Sequence, residues 1–414
     1  MLNTNRFCKM IKLLFIISLL AIYLWCGQTD KGRKVYFLTA IVFSFIRVLK
    51  VPVLGDIMPT MPMFGIMLVT EIYKSLSTLK GWYLYLLAVI ISFLIGLLTT
   101  DILRAFSWIG PVWDVMTIAT LTPLYIRTHE DLQRFTRCIL TVSFIYSFTT
   151  ILAFWGFYDG VVLLSTTDSD IINQSRIYGI SYSNLVQTLS VITICLLPHA
   201  NISKKVAYLL IVIFSYAAFV TLKRMSFIAI VLSLLYFVYV EYKERQYKSV
   251  LIIVVLTILA SSSNLLMFIL DRFDIFSNTT AITITDHSSQ TRIDRINFSM
   301  DSFIHSPLWG NGAGYAIYIH NGLMEILANC GLLGIVFIVA QYLKPLGGIL
   351  SRNPWSMCTL IFFITGFSLE AAISRSELMC FLGFFIGGYT VSENLHIDYT
   401  KQDGQQIKCD YSDI

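Results

Sequence analysis

Apolar runs of about 20 residues recur along almost the whole 414-residue chain, and that is the length a helix needs to cross the hydrocarbon of a bilayer. Such a pattern excludes most folds at once. A helix satisfies its own backbone N–H and C=O groups in lipid, so the sequence predicts an all-α, polytopic bundle. Composition agrees. Hydrophobic residues make up 56% of the chain and charged residues 13%, about half the ~25% usual for soluble domains. Too few charges remain to cover a water-facing surface, and no segment stands out as a separate soluble unit. The whole of 1–414 is expected to form one transmembrane domain.

The pattern predicts helices near 11–26, 35–49, 61–73, 82–99, 105–126, 138–157, 178–197, 205–221, 225–240, 249–270, 321–343, 355–372 and 376–391, or about 12–13 spans. The approach to the third carries Pro52, Asp56, Pro59 and Pro62, which suggests a broken or re-entrant segment. Arg6, Lys9 and Lys12 precede a first apolar run with no small-residue cleavage pattern after it, so a retained helix is expected there. The eight cysteines show no metal-type spacing and read as small core residues.

Lys and Arg concentrate in cytoplasmic loops of membrane proteins. On that rule 127–137, Lys204/Lys205, Lys243/Arg245/Lys248, Lys344/Arg352 and the Lys401/Lys408 tail face the cytoplasm. The segments 158–177, 222–224, 271–320 and 373–376 then face outward. At the N-terminus the rule contradicts itself, because Arg6/Lys9/Lys12 and Lys31/Arg33/Lys34 flank one helix and both look cytoplasmic. The net charge of +5 is spread over short loops, with no basic stripe for a nucleic acid.

Function in such a bundle belongs where polar chemistry interrupts it, and three outward-facing places do so. The first is Arg176-Ile-Tyr-Gly179, followed by Asn184; there Arg176 is either a ligand-binding group or a solvated helix-end charge. The second is Lys223-Arg224, where Arg224 either grips an anion bidentately or snorkels to headgroups. The third runs from Thr291 to Gly331. Arg292 and Arg295 would share a helix face there. Gly310-Asn-Gly-Ala-Gly314 has the glycine count of a phosphate loop without its Gly-Lys-Ser/Thr ending, so a flexible turn is the simpler expectation. His320 stands where an apolar helix begins, a position that favours a neutral, base-competent imidazole as well as a plain structural role. Together these groups suggest a phosphate ester handled at the outer face by charge stabilisation and a general base, with no metal or cofactor.

In this order the residues resemble the O-antigen ligase and polymerase family of bacterial envelope polysaccharide synthesis. The resemblance covers roughly residues 170–345. Arg176, Gly179 and Asn184 match its Arg-x-x-Gly…Asn entry, and Arg224 matches an Arg between neighbouring helices. Arg292 precedes Pro307-Leu-Trp-Gly310-Asn-Gly312, and His320-Asn321 opens a segment ending Gly331-Leu-Leu-Gly334. Lys223, Ser183, and Phe298 or Ile296 depart from the common Ser, Pro and Trp, which bears on subgroup.

The resemblance implies a GT-C-like, metal-independent membrane glycosyltransferase in the bacterial plasma (inner) membrane. Its donor would be an oligosaccharide on undecaprenyl pyrophosphate, and it would work beside a flippase and a chain-length regulator. His320 would be catalytic; Arg176, Arg224, Arg292, Arg295 and Asn321 would bind substrate, several of them in the large extracytoplasmic loop 271–320. A polymerase of repeat units is favoured. A ligase to lipid A-core is the alternative, and a flippase for the same lipid-linked glycans is a second one.

Overall fold

The computed structural model describes residues 17–43, 60–71, 78–155, 185–220, 224–243, 287–317, 319, 321–349, 353–367 and 376–410, with short pieces at 49–51, 55–57, 74 and 157. The regular elements among the described residues are helices save one small hairpin, β1 (Leu49–Val51) paired antiparallel with β2 (Gly55–Ile57). The hairpin lies in the proline-bearing approach to the third helix.

The helices are α1 (Ile17–Cys26), α2 (Asp30–Phe43), α3 (Thr60–Thr70), α4 (Tyr83–Thr99), α5 (Ile102–Tyr125), α6 (His129–Phe154) and α7 (Leu185–Ile192), which tightens into a 3-10 stretch, Thr193–His199. Then follow α8 (Lys204–Val220), α9 (Arg224–Lys243), α10 (His287–His305), α11 (Gly322–Gly334), α12 (Pro354–Phe362) and α13 (Ser376–Asp410). Among the described residues five helices are long and apolar enough to cross a membrane: Lys80–Thr99, His129–Leu152, Met225–Tyr242, Gly322–Gly348 and Leu378–His396. The expected span 249–270 lies outside the described residues. α10 is the addition, since the sequence places 271–320 in a loop.

The burial pattern is that of a lipid-solvated bundle. On α4 the exposed side carries Leu84, Leu87, Ile90, Leu94 and Leu98, while Tyr85, Ala88, Val89, Ser92 and Gly96 turn inward. Water would demand the opposite arrangement. In lipid, where apolar burial between helices gains little, small residues that permit close packing belong at the contacts. The α5–α13 pair shows this. Gly383-Phe-Phe-Ile-Gly387 puts two glycines one turn apart, and a Cβ at Gly387 would sit 2.5 Å from Thr122 Oγ1. Around this pair Phe37, Phe64, Phe135, Trp355 and Phe384 interlock by edge and stacked contacts.

Caps explain several starts. Asp101 accepts from the Leu103 N–H, Asn321 from Met324 and Asn353 from Trp355, where Pro354 occupies the first helical position. The 24 residues of α5 run about 36 Å, so its two ends mark opposite ends of the bundle. Arg33 and Lys34 lie at the Arg127 end, bonded to Glu71 and Asp131 at 2.7 and 2.6 Å. This puts the second basic cluster with the loops read as cytoplasmic; Arg6, Lys9 and Lys12 lie outside the described residues. Cys195, Cys330, Cys358 and Cys380 are buried free thiols.

Candidate functional site

At the opposite end, the glycine-rich turn after α10 is built into a break in α11. Gly331 leaves helical geometry at φ 61° and ψ −153°. In an unbroken helix Leu332 and Leu333 would donate to the carbonyls of Ala328 and Asn329. Here their N–H groups donate instead to Pro307 (2.9 Å) and Leu308 (3.3 Å), and the two released carbonyls accept from Asn311 (2.9 Å) and Gly312 (3.0 Å). Two helical bonds are exchanged for four bonds between turn and helix, so the irregular backbone stays satisfied.

This arrangement answers the question left by Gly310-Asn-Gly-Ala-Gly314. The N–H groups of Gly310, Asn311, Gly312, Ala313, Tyr315 and Ala316 all donate to protein acceptors, so they form no phosphate cradle. Nor is the turn a loose one. Gly312 (φ 94°) lies so close to α4 that a Cβ would come within 2.3 Å of the Gly96 nitrogen. Ala313 donates to Ser92 O at 2.7 Å, and Thr99 and Thr100 donate to the carbonyls of Asn311 and Ala313. The glycines serve backbone-to-backbone packing among α4, α5 and α11.

Asn329 closes the frame from within α11. Its Nδ2 donates to the carbonyls of Ala316 (2.7 Å) and Glu325 (2.8 Å), and its Oδ1 accepts from Ala316 N (3.0 Å). Its own carbonyl takes the Ser92 hydroxyl at 3.0 Å. Asn329 and Glu325 are both fully buried. The chain is thereby pinned four residues before His320.

α10 packs against α11 and carries Arg292 and Arg295. Both are half-buried and flank the buried Ser299 on the helix surface, which aims them toward the bundle side. Asp294, Asn297 and Asp301 occupy the exposed side. Arg292 and Arg295 therefore stand one turn apart, as their spacing predicts.

The other sites expected from sequence fall as follows. Asn321 is the N-cap of α11, its Oδ1 accepting from Met324 N at 3.1 Å. Arg224 is the first residue of α9, and its side chain lies outside the description. Arg176, Gly179, Asn184 and His320 lie outside the described residues. The helices that follow the first two motifs are nevertheless joined. Thr188 of α7 and Ser226 of α9, both buried, share a hydrogen bond of 2.8 Å, two residues beyond Arg224. Among the described residues no group of three His, Cys, Asp or Glu is placed to hold a metal ion.

A charged recess opens at the other end of the bundle, lined by Asp30, Arg33, Lys34, Glu71, Lys74, Leu124, Tyr125 and Arg127. Its charges are bonded to one another: Arg33 to Asp30 and Glu71, Lys74 to Glu71, and Lys34 to Asp131. It clamps α2, the end of α3 and the α5–α6 junction, far from the glycine turn.

Asn329, Ser92 and Asp114 escape a reading of the motifs. Asp114 is only 4% exposed midway along α5, with Cys380 Sγ 4.0 Å from its carboxylate. The available signal is polarity inside an apolar run, since an ionisable residue within a span marks a functional position by default. Asn329 carries a further cue, lying two residues before Gly331 within the motif block.

Residues 209–339 match the family described as O-antigen ligase. The match runs from within α8 through α9, α10 and α11, so it includes Arg224, Arg292, Arg295, His320, Asn321 and the whole turn–helix frame, while Arg176 precedes it. No curated protein matches the chain. With its apolar helices, the chain is an integral membrane protein, and one segment of it is similar to the O-antigen ligase family. This is consistent with the O-antigen ligase/polymerase family and supports a ligase- or polymerase-type function and a glycosyltransferase-like enzyme.

Proposed function

We propose that the chain polymerises lipid-linked oligosaccharide repeat units, taking glycan from an undecaprenyl-pyrophosphate donor at the outer face of the bacterial plasma membrane. The observation that carries this reading is the frame itself. A turn backed by α4, α5 and a broken α11 fixes the chain at Ala316, four residues before His320, and α10, packed on α11, carries two half-buried guanidiniums. Anionic leaving groups need fixed positive charge, and a reacting hydroxyl needs a base at a defined position.

In the proposed step the anomeric carbon–oxygen bond to pyrophosphate breaks as the acceptor hydroxyl oxygen bonds the same carbon. His320 takes the hydroxyl proton, and the lipid pyrophosphate departs with the bonding pair. Arg176, Arg224, Arg292 and Arg295 stabilise its charge, with the planar guanidinium suited to two phosphate oxygens at once. Asn321 caps α11 beside the base and binds substrate. The chemistry needs no metal or cofactor in this reading. Residues 1–414 act as one transmembrane domain, 271–320 is extracytoplasmic, and a flippase and a chain-length regulator are partners in the pathway.

Transfer to lipid A-core is the second reading, favoured by the description of the matched family as O-antigen ligase. Deletion of the gene followed by gel analysis of surface polysaccharide tests both. Single-repeat product supports the polymerase, loss of all lipid A-linked glycan supports the ligase, and an unchanged ladder refutes both.

A further inference from the structure

α10 has two separate exposed apolar surfaces. Ile293, Met300 and Ile304 recur at helical spacing and form an aliphatic stripe on one flank. Asp294, Asn297 and Asp301 form a polar ridge. Beyond that ridge stands Phe298, 45% exposed, with the ring of Tyr315 stacked on it. The centroids are 5.7 Å apart and the planes 11° from parallel, and Tyr315 remains 38% exposed. An exposed aromatic pair gains little from its own contact, because much of both rings stays uncovered.

The pair is also rigid. Tyr315 N donates to Gly312 O at 3.2 Å, Gly314 is pressed against the backbone of Arg104 and Ala105, and Ala316 is held by Asn329. Helical spacing surrounds Phe298 with Asp294 and Arg295 one turn before it and Asp301 one turn after. A flat aromatic surface rimmed by carboxylates and a guanidinium suits one class of ligand in particular. A pyranose ring has a face of C–H groups that packs on the negative face of a π-system, and an edge of hydroxyls that donate to carboxylates and accept from guanidinium. Acyl chains need the opposite, a continuous aliphatic strip without polar neighbours, and the charged rim of Asp294, Arg295 and Asp301 denies it to them at the aromatic pair.

We propose that Phe298 and Tyr315 form a preformed platform for one pyranose ring of the glycan, with Asp294 and Asp301 binding its hydroxyls. It rests on the glycosyltransferase reading for the identity of its ligand, and it adds to that reading where the sugar, as distinct from the phosphate, is held. Because the platform is rigid before binding, little ordering cost opposes the contact.

The test is binding, independent of turnover. Full-length protein in phospholipid nanodiscs is probed by saturation-transfer NMR with the oligosaccharide released from the host's surface polysaccharide by mild acid. Transfer should concentrate on the C–H protons of one ring. Phe298→Ala and Tyr315→Ala should weaken binding roughly tenfold, and Phe298→Trp, which keeps a π face, should retain it. Ile304→Ala, on the aliphatic flank, should leave it unchanged and serves with melting curves as the folding control. Equal transfer to wild type and Phe298→Ala overturns the platform, as does no transfer to wild type. Quenching by brominated phospholipid that is greater in Phe298→Trp than in wild type also overturns it, in favour of a lipid contact. Turnover surviving in His320→Ala would sink the base assignment while the platform stands, and absence of ring contact in wild type would sink the platform alone.

Discussion

Asn329 and Ala316 face each other through a reciprocal pair of hydrogen bonds, side-chain amide to backbone carbonyl at 2.7 Å and backbone N–H to side-chain carbonyl at 3.0 Å. A primary amide is the one small side chain that can donate and accept in that plane, so it copies the edge of a neighbouring strand. Replacing it leaves buried backbone groups without partners, at about 1–3 kcal/mol each. Asn329→Leu should lower the melting temperature in detergent and abolish glycan transfer. Asn329→Asp keeps the acceptor but loses both donors, and should fall between the two. A wild-type melting curve for Asn329→Leu would remove Asn329 from the frame.

The glycine turn allows a contrast within one protein. At Gly312 the backbone has φ 94° and an added Cβ would collide with α4 at 2.3 Å. At Gly65 in α3, a Cβ meets nothing within 4 Å. Gly312→Ala should therefore fail to accumulate in membranes or lose activity. Gly65→Ala should be neutral or stabilising by up to about 1 kcal/mol, since alanine restricts the unfolded chain. Immunoblots of membrane fractions with paired melting curves would show the difference.

Much of the bundle is legible in the sequence because lipid imposes a simple rule, an apolar run of fixed length per crossing. Thus 82–99 and 205–221 fall within a residue of Tyr83–Thr99 and Lys204–Val220. α10 obeys a different rule. It is short of apolar residues and rests on α11, so its polar sequence reads as loop until the Arg292–Arg295 spacing is put on a helix. The turn is harder still. Glycines signal freedom or close approach equally well, and only the break at Gly331, far along the chain, decides between them. Asn329 looks like any polar residue in a span until its partner Ala316 is known.

Arg224 begins α9 immediately after the α8–α9 connection, two residues from the Thr188–Ser226 bond that ties α7 to α9. If it grips pyrophosphate, geometry counts as well as charge. Arg224→Ala should abolish product with the protein still in the membrane. Arg224→Lys should recover little, because an ammonium is a point donor where the guanidinium offers a planar fork. Full activity in Arg224→Ala would return this residue to a headgroup-facing role.

Glu71 makes stability at the Arg127 end sensitive to acid. Burial pushes its carboxyl pKa up, but hydrogen bonds and charge from Lys74 and Arg33 outweigh that and hold it below the usual range. A carboxylate depressed in the folded state stabilises above its unfolded value, about 4.3. That contribution is lost as pH falls through the lower folded value. Melting temperature should thus drop below about pH 4.3, as the Arg33–Glu71 link between α2 and the end of α3 is protonated away. Glu71→Gln should melt lower than wild type at neutral pH and show a flatter acid limb. Parallel acid limbs in the two proteins would shift the cause elsewhere.

His320 is the residue on which the proposed chemistry turns. It stands one residue before the Asn321 cap of α11, four beyond the Ala316 that Asn329 fixes. To act as the base in the proposed step the imidazole has to be neutral, so that a ring nitrogen can take the proton. A general base contributes roughly 10²–10⁴-fold to rate, so His320→Ala should cut product by about that factor without changing the amount of protein in the membrane. Wild-type activity should fall in acid, because protonation of the imidazole removes the base. His320→Gln separates proton transfer from hydrogen bonding, since glutamine donates and accepts but cannot carry the proton away. Purified protein turning over lipid-linked donor gives the decisive comparison. A low rate in His320→Gln without the acid limb supports the base. Wild-type turnover in His320→Gln leaves His320 a binding residue, and the proton must then go to another group on the same face.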